Sequence, residues 1–338
     1  VTFVFAFIYP GANNWRFLSF ATQVTIGILS PQSSSHAAAW VALLCVYFFW
    51  GTTYLAIRVA IETTPPVVLV AIRFTISGVL MLIAARWRRD HIPGVREPEF
   101  WRTALCGFGT LAIGNTCLSV AEQWIPAGLA ALFVTTSPFW MIGVDALVPG
   151  GERFHKPVLW GMLLGLCGVL LLLLPSADHG TAELSGQAIA AFFVLQLGNL
   201  GWSVGSIYQR RMASKAHPVV SGAVQQLTTG MLFWIPAIYA ARGGGFQVTW
   251  RGSLAILYLA TFGSIIGYSA FLYAMDKLPV SIVSTYTYVN PIVACVLGWL
   301  ILGERFGLRE VAAMAITFAG VGVVRHFQNQ HYSVKKAV

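Results

Sequence analysis

The side chains in this sequence that could do chemistry are aromatic and hydrogen-bonding. FFWGTTY (48–54), QLGNLGWSVGSIYQ (196–209), GYSAFLY (267–273) and STYTYVN (284–290) each set Trp, Tyr, Asn, Ser or Thr inside an otherwise apolar run. Asn115, Thr116 and Ser119 do the same in another run, and Thr135, Thr136, Ser137 and Trp140 in a further one. Rings of this kind hold a moderately apolar ligand by stacking or edge contact, and a few amides and hydroxyls among them orient its polar end. The candidate binding residues are therefore Trp50, Tyr54, Asn115, Ser119, Ser137, Trp140, Asn199, Trp202, Tyr268, Tyr286 and Asn290.

Groupings that break bonds are missing from the sequence. It has no HExxH, no pair of carboxylates within an apolar run, no gathered catalytic triad and no Walker motif. A membrane enzyme and a nucleotide-driven pump are both disfavoured on that ground, and no catalytic residue, cofactor or metal is expected. Cys45, Cys106, Cys117, Cys167 and Cys295 lie in apolar runs without CxxC or Cys-His spacing and read as packing residues. Arg73 is the one strong base well inside an apolar run, about eight residues or roughly 12 Å from Pro65. It could draw a substrate carboxylate, or pair with Glu122 or, by snorkelling, with Asp145, and structural pairing is the preferred reading. Glu62, Glu122, Asp145 and Asp276 fall near the ends of runs, so no buried acid is expected to carry protons.

What positions these residues follows from composition. Of 338 residues, 57% are hydrophobic and 10% charged, where a water-soluble chain would have roughly a quarter charged. The solvent is therefore the bilayer. The net charge of +9 is spread between apolar runs rather than gathered in a patch, which argues against a nucleic-acid partner. Ten runs can each cross as a helix: 37–60, 64–85, 102–122, 125–148, 157–175, 184–208, 218–240, 252–275, 279–302 and 308–325. If the first runs outward, fifteen loop lysines and arginines fall on the inner side and four, Arg242, Arg251, Arg305 and Arg309, on the outer. Basic loops stay in the cytoplasm, so both ends of the ten-helix core are expected there. Residues 1–36 read as an irregular or interfacial segment, or as translated sequence ahead of the true start, with no transport role. Residues 326–338 read as a cytoplasmic tail.

The chain repeats itself. An offset of 152 pairs Trp50 with Trp202, Arg58 with Arg210, Pro66 with Pro218 and Gly78 with Gly230; an offset of 153 pairs Gly114 with Gly267, Pro126 with Pro279 and Pro138 with Pro291. At 152 again, Glu152 meets Glu304 and Gly168 meets Gly320. Five helices per copy is an odd number, so the second copy starts on the opposite side of the membrane and the halves are inverted. Inverted halves permit a central site to open alternately to either side, which is the geometry of a transporter.

Polar residues concentrate on runs one, three, four, six, eight and nine, which predicts that these surround a cavity. Runs five and ten are mainly Leu, Val, Ala and Gly and are expected to face lipid or each other. Pro138 and Asn290-Pro291 are expected to break helices four and nine and to free the carbonyls of Val134 and Thr287, either for packing or for a ligand. GMLLGLCG (161–168) and AGVG (319–322) offer small surfaces for close helix contact. Trp124, Trp160, Trp234, Trp250 and Trp299 read as interface anchors.

WGTTYLAIR (50–58), PPVVLVAIRF (65–74), Pro138 followed by Gly151-Glu152-Arg153, and NPIVACVLGWLILGE (290–304) resemble the drug/metabolite transporter superfamily, in particular its EamA-type permeases. The resemblance covers about residues 38–325 and uses both repeats. It implies a bacterial inner-membrane exporter of amino acids and related metabolites, the aromatic amino acid exporters being one such branch. Exporters of drugs or other metabolites, a channel and a structural membrane protein are the alternatives. The combined expectation is an all-α integral membrane protein of ten transmembrane helices in two inverted five-helix repeats, 37–175 and 184–325. It would act as a secondary transporter for small amphipathic metabolites by alternating access, with lipid and a small-molecule substrate as partners. A monomer would be sufficient, since both halves are in one chain.

Overall fold

The computed structural model describes residues 36–125, 127–151, 155–173, 186–212, 217–293 and 308–336. The expectations placed on residues 1–35, on Glu152 and Arg153, and on Cys295, Trp299 and Glu304 lie outside these. The described chain is all α-helical: α1 (His36–Ile61), α2 (Pro66–Trp87), α3 (Pro98–Trp124), α4 (Ala127–Val134), α5 (Ser137–Ala146), α6 (Lys156–Leu173), α7 (Gly186–Arg211), α8 (Pro218–Ala240), α9 (Trp250–Lys277), α10 (Val280–Val283), α11 (286–293) and α12 (Leu308–Lys336). Among the described residues, α1, α2, α3, α7 and α9 are long and apolar enough to cross a membrane. The molecule is a multi-span integral membrane fold.

Its surface is arranged for lipid. Leu44, Ile83, Phe193 and Ile235 are exposed, while Thr110, Ser203, Gln225 and Gln226 are buried. That inverts the usual order in water and suits a hydrocarbon solvent, where polar groups must find partners inside the bundle. Trp124, Trp160, Trp234 and Trp250 are all exposed, as interface anchors would be.

Glycines set the closest helix crossings. A Cβ on Gly78 would lie 2.5 Å from the backbone nitrogen of Leu227, and one on Gly230 would lie 2.5 Å from that of Thr75, so α2 and α8 run antiparallel with almost no space between their backbones. A Cβ on Gly161 would lie 3.0 Å from the Gly320 carbonyl, and Gly168 packs on Thr317, which makes α6 and α12 a second antiparallel pair. Small residues permit this approach.

Runs four and nine are each interrupted, the second not where its proline predicts. Between α4 and α5 the chain turns at Thr135 and Thr136, just ahead of Pro138. The carbonyl engaged there is that of Phe133 rather than Val134: it accepts from Thr136 Oγ1 at 2.9 Å and from Asn199 Nδ2 and Gln196 Nε2 at 3.4 Å. Between α10 and α11 the turn falls at Ser284 and Thr285, well before Asn290-Pro291. At this turn Ser284 and Thr285 donate to the carbonyls of Ser281 and Ile282 at 3.0 and 2.5 Å, which gives those backbone acceptors a partner outside the helical ladder.

The acids depart further from expectation. Glu122 is fully buried because the last turns of α3 pack on α1, where Leu118 lies against a cluster holding Ile57 and Ala60. Neither carboxylate oxygen has a hydrogen-bond partner among the described residues, and Arg58 reaches only the Glu122 backbone carbonyl, at 2.5 Å. Asp145 is buried as well and pairs with Arg211 at 2.7 Å.

Candidate functional site

A cavity of about 720 Å³, its open side included, lies among α1, α2, α3, α4, α5, α7, α9 and α11. Its lining of aromatic rings, amides and hydroxyls suits a small molecule rather than a macromolecule. Among the described residues neither α6 nor α12 contributes to its lining, as the sequence predicts for runs five and ten, but α2 does, through Arg73 and Phe74. Two of the lining helices carry a wide π-helical stretch, Phe108–Asn115 in α3 and Leu259–Tyr268 in α9, and each delivers a polar or small side chain to the space. Such stretches re-aim side chains relative to a regular helix.

Trp50 and Trp202 meet across this cavity edge to face, with ring centroids 5.3 Å apart and an interplanar angle of 83°. Phe271 packs against both, at 5.1 and 5.3 Å, and Tyr286 meets the Trp50 ring at 5.0 Å. Glycine makes room for each indole. A Cβ on Gly267 would stand 2.5 Å from Trp50 Nε1, and one on Gly114 would stand 3.0 Å from Cε3 of Trp202. The indole nitrogens differ: Trp50 donates to the Gly263 carbonyl at 3.0 Å, whereas the buried Trp202 N–H has no acceptor among the described residues.

The amides serve the frame as well as the cavity. Asn199 lines the space and donates to Thr136 Oγ1 at 3.1 Å, bracing the α4–α5 turn. Asn290, with its NH2 directed at the carbonyls of Tyr47 and Tyr286 at 3.1 and 3.0 Å, braces α11 against α1. Tyr54, Ser137 and Tyr286 line the same end; Tyr54 meets Asn290 and Tyr286 meets Ser137. Tyr268 donates to Gln225 Oε1 at 2.5 Å and shares a 2.9 Å bond with Thr110.

Arg73 is buried, and the expected acid partners are elsewhere. Its Nε donates to Ser264 Oγ at 2.8 Å and its Nη1 to Asn115 Oδ1 at 3.3 Å. Glu122 lies against Arg58 and Asp145 against Arg211, so the structural pairing preferred from sequence is corrected: Arg73 points into the cavity with neutral partners.

Two predicted contacts lie off the cavity. The α3 lining continues from Asn115 to Leu118, which leaves Ser119 about 100° further around the helix and buried. Trp140 turns toward α7, where its indole N–H donates to Gln196 Oε1 at 2.8 Å. Tyr288, also in the aromatic run of α11, packs on Gly165 of α6. Residues not anticipated include Ser264 and Gly263, beside Arg73. Their only sequence signal is that Arg73 has no regularly spaced acid near it.

Among the described residues no group of three or more His, Cys, Asp and Glu is placed to hold a metal. A model of the EamA-like transporter family matches residues 37–174 and again 189–325. The inner membrane transporter YedA of Escherichia coli strain K12 is 32% identical over 284 residues, 84% of this chain and 89% of that one. A probable amino-acid metabolite efflux pump of Salmonella typhimurium is 25% identical over 82% of this chain and 91% of its own length. A crystal structure 23% identical in sequence superposes with a TM-score of 0.71 over 88% of this chain and 99% of that one, a likeness of fold.

Proposed function

We propose that this chain, which belongs to the EamA-like transporter family, is a secondary exporter of small amphipathic metabolites, with amino acids foremost and aromatic ones among them. The observation that carries the reading is the edge-to-face pair of Trp50 and Trp202 in a cavity that also holds amides, hydroxyls and a guanidinium. Aromatic walls take an apolar body, and the polar groups orient the other end. The names of the relatives add weight: one is an inner membrane transporter and another a probable amino-acid metabolite efflux pump. Placement in a bacterial inner membrane, with both core termini cytoplasmic, belongs to the same proposal.

Alternating access is the proposed mechanism, carried by ten helices in two inverted halves within one monomer. Its support is reciprocity. Trp50 of the first half packs on Gly267 of the second, and Trp202 of the second packs on Gly114 of the first. The antiparallel pairing of α2 with α8, whose equivalent positions such as Gly78 and Gly230 are 152 apart in sequence, is what an inverted repeat would give.

Purified full-length protein in sealed liposomes tests this by counterflow with a panel of amino acids, drugs and nucleotide-linked sugars. Saturable exchange of phenylalanine, tyrosine or leucine is expected. Movement of charged hydrophilic solutes alone, or flux proportional to concentration without exchange, would count against it.

A further inference from the structure

Arg73 is only 6% exposed, yet both of its hydrogen-bond acceptors are neutral, Ser264 Oγ and Asn115 Oδ1. A guanidinium carries five N–H groups, and these bonds use two of them. The others have no acceptor among the described residues. Gly263 keeps the space beside Nη2 open, since a Cβ there would come within 3.0 Å of it. Among the described residues lining the cavity, Arg73 is also the single charged one. A buried cation with neutral neighbours is costly in a low-dielectric surround, and an anion that enters relieves that cost.

The equivalent position in the second half holds a neutral group with its bonds engaged. Gln225 accepts from Tyr268 at 2.5 Å and donates to Gln209 at 2.8 Å, and Tyr268 is itself the equivalent of Asn115. The same two positions are bonded in both halves, but only the first presents unused charged donors.

From this asymmetry we infer that Arg73 anchors a substrate carboxylate, and that the cargo are monocarboxylates with an apolar or aromatic body, with or without an α-amino group. The inference rests on the transport reading and narrows it. One carboxylate cancels the single positive charge of the cavity and can engage the guanidinium through two parallel bonds. A dianionic phosphate would leave a negative charge uncompensated. A cation without a carboxylate would meet Arg73 as a like charge, and among the described residues no acid lines the cavity to hold it. An ammonium accompanied by a carboxylate needs no acid, because aromatic faces and amide oxygens can receive it.

The test is counterflow of labelled phenylalanine in liposomes holding the full chain, competed with 3-phenylpropanoate, which keeps the carboxylate alone, and phenylalanine amide, which keeps the ammonium alone. 3-Phenylpropanoate is expected to compete within a few-fold of phenylalanine, with the amide weaker by about tenfold or more, as for loss of a charge-assisted pair. Arg73→Gln, which installs the residue standing at position 225, should raise the half-saturation concentration by about 10- to 100-fold. Arg73→Lys should recover part of that loss, because it keeps the charge without the planar fork. Equal competition by the amide and 3-phenylpropanoate in the wild-type protein would overturn the inference whatever the variants do. A monodisperse Arg73→Gln protein with unchanged concentration dependence would also overturn it. Saturable exchange confined to solutes lacking a carboxylate would overturn it and leave transport standing, while absence of saturable exchange for every solute would remove both.

Discussion

The two halves of the molecule place the same residues against one another and differ in what those residues can do. Trp50 on Gly267 and Trp202 on Gly114 are the same contact made twice, as are Gly78 on α8 and Gly230 on α2. The polar partners diverge. The first half holds Arg73 bonded to Asn115, and the second holds Gln225 bonded to Tyr268. Trp50 has its indole N–H satisfied by Gly263, and Trp202 does not have an acceptor among the described residues. Even the helix starts differ: Pro65 precedes α2 without a side-chain cap, whereas its equivalent His217 accepts the Val219 N–H at 3.2 Å to cap α8. Backbone clearance leaves little room for change at the glycine crossings, so those contacts match, whereas the groups facing the cavity have more room to become unlike.

The largest effects are expected where the halves agree. Gly78→Ala and Gly230→Ala each bring a Cβ within 2.5 Å of backbone nitrogen on the facing helix, and overpacking against backbone costs about 1–3 kcal/mol or more. Both should lower the apparent melting temperature in detergent and the monodisperse yield to a similar degree. Tolerance of one and loss of the other would break the equivalence of the two positions.

A smaller effect should separate the two tryptophans. Trp50→Phe removes the donor to the buried Gly263 carbonyl and should cost about 1 kcal/mol of stability. Trp202→Phe removes an N–H with no acceptor among the described residues, so the melting temperature should hold while the half-saturation concentration for transported substrate shifts by a few-fold. The reverse pattern, with Trp202→Phe unstable and Trp50→Phe altered in transport, would exchange the roles assigned to the two rings.

The smallest effect concerns the caps. His217 is held below its ordinary value of 6.5, chiefly by burial and secondarily by the nearby Arg88. The neutral ring is the form that caps α8, so its contribution is complete above pH 6.5 and is lost as pH falls through the lowered folded value. Thermal melts from pH 7.5 downward should show this loss, and His217→Asn, a cap that does not titrate, should remove that component. An unchanged pH dependence in the variant would assign the loss to other groups.

The all-α, multi-span character of the fold was legible because apolar runs near 20 residues have one solution in a bilayer, and repeated Trp, Pro and Gly support the two-half reading without any alignment. The aromatic cavity followed from polar residues set in those runs. The setting of Arg73 was hidden because its partner Ser264 lies 191 residues away on another helix. Burial of Glu122 near the end of α3 depends on how α1 covers that end, which spacing along α3 does not encode. Ser119 falls off the cavity because residues four apart share a face only approximately, and the π-helical stretch ahead of it alters the phase.

The claim that the cavity is the alternating substrate site is tested most directly by one lining residue, Val134. In a background cleared of native cysteines, Val134→Cys, a change of small volume, can be labelled with a membrane-impermeant maleimide added to one side or the other of sealed vesicles. The position should be labelled from both sides, and a transported substrate should slow labelling over the same concentrations that saturate counterflow. Labelling from one side only, unaffected by any solute that is transported, would contradict a substrate site in this cavity.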